Sequence, residues 1–525
     1  MSESASVTSE MTRSEGAPGG PGALARIPWP VWAIAGASFL IHMMTATRYG
    51  YFRDELYYLA CSRHLAFGYV DQPPLIALVV WLVTHTLGTS LYALHFLPAL
   101  ANAGMIVLAG VMARELGGGK FAQELAALSI AVAAVYAVIA HQFAMNVFEP
   151  LFWMGCAYLL IRMIRSGNQR LWLWFGVLSG FGLENKYSMG VFGFAVVVAL
   201  LLTEHRRVLK ERWIYLGGLI ALAIFLPNLI WNVQYHFPFI QLMRNIRASG
   251  RNIAVGPLGY IAQQIFMMSP MNILVWLPGL LYLFCSREGK RFRILGWTFL
   301  AVIATFMILA GKDYYSAPAY PMLLAAGGVA IERAARQRAW LKPSVVLAIV
   351  LGTAPLAPMM FPILSVAGYL RYQRALHIVP PATEKSHLAS PLPQYYSDEL
   401  GWPEMAADVA KVYNGLPPAV RAETAIFCQN YGEAGAIDFF GPKYGLPPAI
   451  SAHQTYYLWG PRQYTGESMI VLGGHRAQLD KLFKHVERAG KFGVPYALEQ
   501  GPIWLCTGPR GWTLREVWPK IKKWD

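Results

Sequence analysis

Apolar runs follow one another along residues 29–364 with only short polar connections, whereas residues 365–525 mix apolar and polar positions as a globular segment does. Runs at 27–45, 91–112, 121–140, 150–163, 171–183 and 188–203 read as membrane spans, and those at 213–231, 258–285, 294–310, 317–331 and 343–364 continue the series. Several lie near the short end of the ~17–25 residues a crossing helix needs. The run at 73–88 is also apolar, but it is short and opens on Pro73-Pro74, so it is predicted to lie along the outer interface or re-enter shallowly. The pattern predicts about eleven crossings.

Beyond residue 364 the periodicity changes. Helices are expected at 403–413, 432–440 and 476–488, strands at 424–429, 468–473 and 503–506, and a terminal helix after them. That alternation predicts a small α/β sandwich. The fold class is therefore mainly α: a polytopic helical membrane bundle at 27–364 with a C-terminal α/β domain at 365–525. Residues 1–26, rich in Ser, Gly, Pro and Glu, read as a disordered cytoplasmic arm ahead of a retained anchor.

Composition agrees. Of the 525 residues 55% are hydrophobic and 14% charged, with a mean hydropathy of +0.37, outside the range of ordinary soluble domains. The net charge of +15 does not point to nucleic acid, because residues 365–525 carry 17 Lys and Arg against 14 Asp and Glu. The surplus sits in the short connections of the membrane part. Basic groups cluster at alternate connections, around Arg114, Arg165, Arg207, Arg291 and Arg336, and that bias makes those connections cytoplasmic. The tail then lies outside, and with 73–88 not crossing so do Asp54, Glu55, Asp71, Glu149, Glu184, Lys186, Lys312 and Asp313. The five cysteines show no paired ligand spacing, which disfavours a zinc site. Cys428 and Cys506 fall in expected strands, where either a disulfide or two free thiols fits.

Three acids, Asp54, Glu55 and Asp71, stand in one aromatic-rich loop directly after the first apolar run. Carboxylates at a bilayer edge are costly unless they pair, meet water or do chemistry. Asp54 and Glu55 are consecutive, so on a helix they diverge by roughly 100° and do not aim at one atom. A solvated loop is the plain alternative, and Asp71-Gln72-Pro-Pro equally well starts a helix. Glu149 before Pro150, Glu184 and Lys186 in a tight turn, and Lys312 beside Tyr314 and Tyr315 each admit a structural reading as well: dipole compensation, an ion pair, snorkelling. Collected on one surface, acids and lysines among aromatics fit a reaction that leaves a phosphate behind. Cations stabilise the departing anion, and a carboxylate takes the proton of the incoming hydroxyl.

At Asp54-Glu-Leu-Tyr-Tyr, Gly68-Tyr-Val-Asp-Gln-Pro-Pro, Phe148-Glu-Pro-Leu, Lys186-Tyr187 and Lys312-Asp-Tyr-Tyr the sequence resembles the polyprenyl-phosphate-sugar-dependent glycosyltransferases of the GT-C superfamily. The branch is that of the bacterial relatives of protein O-mannosyltransferases, lipid A aminoarabinose transferase and rhizobial-type galacturonosyltransferases. The resemblance spans roughly residues 28–330. It implies inverting transfer outside the cytoplasmic membrane to a glycolipid, glycan or protein hydroxyl. It makes Asp54 the base or acceptor-positioning acid, with Glu55 and Glu149 as further catalytic acids. Arg53, Lys186, Lys312, Tyr314 and Tyr315 would hold the lipid phosphate, and Asp71, Gln72 and Tyr187 would position substrate. Gln72 departs from members with a basic residue at that place. Some members bind a divalent metal near these acids, but no ligand spacing here compels one, and His64 reads as an interfacial residue. The alternative function is a transporter or flippase of lipid-linked sugars, which would place its ionisable groups near the bilayer midplane. For the tail, Asn430-Tyr-Gly-Glu-Ala-Gly after a strand stands where α/β folds bind ligands, so acceptor recognition and a structural lid are both open.

Overall fold

The computed structural model describes residues 27–253, 255–379, 384–385 and 390–525; the arm expected to be disordered lies outside the described residues. Among the described residues five helices are long and apolar enough to cross a membrane unaided: Leu91–Glu115, Met145–Ser166, Arg212–Gln234, Lys290–Ile308 and Leu341–Met360. Two bent pairs, Met189–Leu201 with Glu204–Lys210 and Pro257–Met267 with Pro270–Cys285, raise the number to seven. That is fewer than the about eleven crossings expected from hydropathy. Four runs make the difference: Trp29–Thr45, Leu171–Asn185 and Tyr320–Ala334 form single helices of only 17, 15 and 15 residues, and the 121–140 run does not form one helix. The 121–140 run breaks into Lys120–Ala131 and Ala134–Ile139, and Ser269 accepts from the Ala134 N–H while donating to the Val132 carbonyl at the break. The 258–285 run bends by 99° where Ser269 takes a positive φ just before Pro270. Trp29–Thr45 and Leu75–Thr86 are shorter apolar helices.

Helices pack through small residues. Gly279 and Gly327 bring Ile273–Cys285 and Tyr320–Ala334 together so closely that a Cβ on either would collide with backbone of the other helix, at Leu323 and Val275. Leu219, Leu222, Leu226 and Ile230 of Arg212–Gln234 stay exposed, the surface a lipid phase would cover.

The C-terminal part holds one five-stranded sheet. Its strands are β1 (Thr424–Cys428), β2 (Ile450–Ser451), β3 (Ser468–Leu472), β4 (Phe483–Phe492) and β5 (Gly501–Pro509), in the order β2-β1-β3-β5-β4. β1 runs parallel to β2 and β3, and β5 runs antiparallel to β3 and β4. The helix expected at 476–488 stops at Leu482, and β4 follows. Lys484, Glu487 and Arg488 favour a helix locally, but β4 is the sheet's edge, where charged positions face water while the backbone pairs with β5. The expected terminal helix is only Leu514–Val517 and a 3₁₀ turn. Cys428 and Cys506 are free and buried. They lie on β1 and β5 with β3 between, so two strand spacings alone separate them by about 10 Å, and they are offset along the strands as well, too far for a disulfide.

One apolar core crosses between the two parts. Leu56, Tyr57, Leu59 and Cys61 of the helix Arg53–Ser62, with Ile76 and Val80 of Leu75–Thr86, pack into a cluster with Trp402, Val409, Ile426, Ile437 and Ile470. The α/β domain is thereby seated on two short helices at one end of the bundle.

Candidate active site

At that seam lies a cavity of about 340 Å³ whose lining is part polar and part apolar. Its polar lining includes Arg53, Asp54, Arg251, Lys312, Glu384 and Tyr431. Its apolar wall comes from Val135, Val138, Ile139, Met267, Met359 and Met360.

The helix Arg53–Ser62 explains how Asp54 reaches it. Glu55 stands at the third helical position and folds back, its Oε2 accepting from the Phe52 N–H at 2.9 Å. Its Oε1 accepts from the Phe143 N–H at 2.7 Å and lies 2.9 Å from His95 Nε2. Glu55 is thus spent on the helix start and on the bundle, about 100° around the helix from its neighbour. Asp54 points into the cavity, where Oδ1 accepts from the Tyr431 hydroxyl at 2.8 Å. Burial pushes the Asp54 carboxyl above its usual range, against the Tyr431 hydrogen bond and the Arg53 charge, which pull it down. The Arg53 N–H donates to the Asp398 carbonyl, and the guanidinium lies over the Tyr431 ring at 4.7 Å.

Lys312 and Arg251 form the cationic side. Arg251 grips Glu384 with both Nε (2.9 Å) and Nη2 (3.0 Å), and Lys312 Nζ lies 2.7 Å from the same carboxylate. Burial alone would raise the Glu384 carboxyl, but the Lys312 charge and the Arg251 fork bring it down to about 2. A bidentate Arg fork with an added Lys is an anion seat, here filled by the chain's own carboxylate.

Lys186 stands one layer behind. Its Nζ lies 2.8 Å from Glu149 Oε2 and 2.7 Å from Asn146 Oδ1, and Ser188 donates to the other Glu149 oxygen. It faces the Tyr315 and Tyr314 rings at 4.9 and 5.6 Å; Asn146 and Tyr314 line the cavity, and Lys186, Glu149 and Tyr315 do not. The Lys186 partner is therefore Glu149 and not the nearby Glu184.

The substrate-positioning candidates do not gather. Asp71 accepts from the Tyr57 hydroxyl at 2.9 Å, and Tyr57 Oη meets Thr455 of the α/β domain at 2.6 Å. Burial raises Asp71 to about 7. Gln72 is fully buried, with its carbonyl accepting from Tyr69 N–H, and does not touch the cavity. Tyr187 donates to Asn228 and accepts from Asn232, tying helices together away from the cavity. Residue patterns alone missed Arg251, Glu384, Asp398 and Tyr431. Only Tyr431 had a signal, the Asn430-Tyr-Gly-Glu motif. Asn430 caps the helix Tyr431–Phe440, its Oδ1 accepting from the Gly432 and Glu433 N–H groups.

Across 91% of its length the chain superposes on 99% of ArnT from Cupriavidus metallidurans, solved bound to undecaprenyl phosphate, with a TM-score of 0.61 at 14% identity. The chain has the GT-C fold. Residues 71–231 of this GT-C chain match the family model described as dolichyl-phosphate-mannose-protein mannosyltransferase. Two curated relatives from Rhizobium johnstonii are similar in sequence. Lipid A galacturonosyltransferase RgtD is 26% identical over 272 residues, which is 50% of this chain and 55% of RgtD. Lipopolysaccharide core galacturonosyltransferase RgtB is 27% identical over 233 residues, 43% of this chain and 46% of RgtB. The chain thus spans about half the length of the curated relatives it matches. Among the described residues no group of three or more His, Cys, Asp or Glu side chains is arranged to hold a metal ion.

Proposed function

We propose that the protein is an integral-membrane glycosyltransferase. It moves a sugar from a polyprenyl-phosphate donor to a hydroxyl of a cell-envelope acceptor at the outer face of the cytoplasmic membrane. The observation that carries the reading is the mixed lining of one cavity: apolar side chains suited to a lipid tail share it with Asp54, Lys312 and Arg251. Similarity to two galacturonosyltransferases of lipid A and lipopolysaccharide core favours a glycolipid acceptor. The basic bias of alternate connections supports the outer face.

Asp54 takes the proton of the acceptor hydroxyl as its oxygen attacks the anomeric carbon. The bond between that carbon and the phosphate oxygen breaks on the opposite side, so the configuration inverts. The polyprenyl phosphate leaves as an anion and needs no proton, and Lys312 and Arg251 stabilise its charge once Glu384 yields the seat. Asp54→Asn keeps the shape and removes the base. Mass spectrometry of envelope glycolipids from cells with the wild type, the variant or no protein reads the outcome. The modified species should vanish in the last two; undiminished transfer by the variant would remove Asp54 from the mechanism.

A further inference from the structure

The C-terminal part brings several side chains to the cavity, among them Glu384, Tyr395, Asp398 and Tyr431, and of these Tyr431 hydrogen-bonds Asp54. We propose that this domain completes the active site by supplying Tyr431 as a positioning residue, whose hydroxyl holds the Asp54 carboxylate and sets its protonation. The inference rests on the reading of Asp54 as the base.

Docking is built for close approach. Tyr431 opens the helix Tyr431–Phe440, and Gly432 and Gly435 on that helix face Arg53–Ser62. A Cβ on Gly435 would stand 2.8 Å from the backbone carbon and oxygen of Leu56 and 3.1 Å from Tyr57 N, where nothing can give way. A Cβ on Gly432 would meet the Arg53 side chain at 2.6 Å. The two helices therefore meet nearly backbone to backbone, which fixes Tyr431 over the start of Arg53–Ser62.

Tyr431 is itself held from three sides. Its ring carries the Arg53 guanidinium at 4.7 Å on one side and stacks on His453 at 5.1 Å, with ring planes 3° apart. Its N–H donates to His453 Nδ1 at 3.2 Å, which leaves Nε2 to face Asp525. Tyr57 closes the arrangement at 4.7 Å between ring centres. A ring so confined aims its hydroxyl at one acceptor, Asp54.

The groups that act on Asp54 are Arg53 of its own helix, Tyr431 and Asp398 of the C-terminal part, and Lys312. Asp54 in turn bears on Tyr58, Asp71 and Tyr314. Among these only Tyr431 donates a hydrogen bond to the carboxylate. A donor to the charged form favours ionisation, so losing it makes Asp54 harder to deprotonate.

Tyr431→Phe in the full chain keeps the ring, its stacking and its arginine contact, and removes the hydroxyl alone. The protonated-carboxyl infrared band of Asp54, assigned by its loss in Asp54→Asn, gives a titration midpoint in each variant. The midpoint should rise by roughly one pH unit or more in Tyr431→Phe, given the usual strength of a hydrogen bond to a charged group. Gly435→Ala should raise it too while retaining the hydroxyl, because the helix that carries Tyr431 is pushed away. A midpoint equal to wild type in both variants overturns the proposal. Transfer by Asp54→Asn bears separately on whether Asp54 is the base.

Discussion

Lys312 Nζ lies 2.7 Å from Glu384 Oε1, so the cation side of the cavity already holds an anion of the chain's own. A donor phosphate needs the same Lys312 and Arg251 groups, and the two anions compete. Glu384→Gln should therefore tighten undecaprenyl phosphate binding by on the order of tenfold, the loss of one charge-assisted contact from the competing state. Equal or weaker affinity in the variant would show that Glu384 does not occupy the phosphate seat.

Lys186 and Glu149 make a buried pair one layer behind the cavity, with side chains 12% and 4% exposed. Removing one member strands the other charge. Lys186→Met should lower stability by about 3 kcal/mol, and adding Glu149→Gln should recover most of it. Thermal unfolding of the two variants checks this. A Lys186→Met protein as stable as wild type, with lost phosphate affinity, would put the lysine on the donor instead.

Asp71 gives a pH signature. Its folded carboxyl is raised by burial from 3.8 to about 7, so the folded state binds the proton more readily than the unfolded chain. Stability from this group is fully present below the ordinary value and is lost as pH rises from 3.8 through about 7. Asp71→Asn should accordingly raise the melting temperature more at pH 8 than at pH 5, levelling off above about 7. A gain independent of pH, or largest in acid, would contradict this.

The apolar wall should admit the lipid tail. Val138→Trp would fill part of the cavity from its apolar lining. Undecaprenyl phosphate should then bind at least about tenfold more weakly, since excluding two methylenes already costs about 1.6 kcal/mol. Unchanged binding would place the tail elsewhere.

Much of this organisation is legible along the chain, and the boundary follows sequence distance. Asp54 and Lys312 stand out because an ionised group beside an apolar run is expensive wherever the chain goes. Glu55, Gln72 and Tyr187 look equally suited in sequence, yet the fold spends them on a helix start, a buried turn and an interhelical tie. Arg251 reads only as one more outer-loop cation until Glu384 and Lys312 are seen around it.

The amino-acid order by itself determined a helical membrane bundle, the polar layer at its edge and an α/β tail, because hydrophobic period and charge placement act locally. Tertiary structure alone decided that β4 is a strand, that several apolar runs bend before crossing, and that Tyr431 meets Asp54. Those outcomes depend on pairing and packing between separate segments, from neighbouring β5 for β4 to Asp54 and Tyr431 far apart in the chain, an energy that the residues of one element do not contain by themselves.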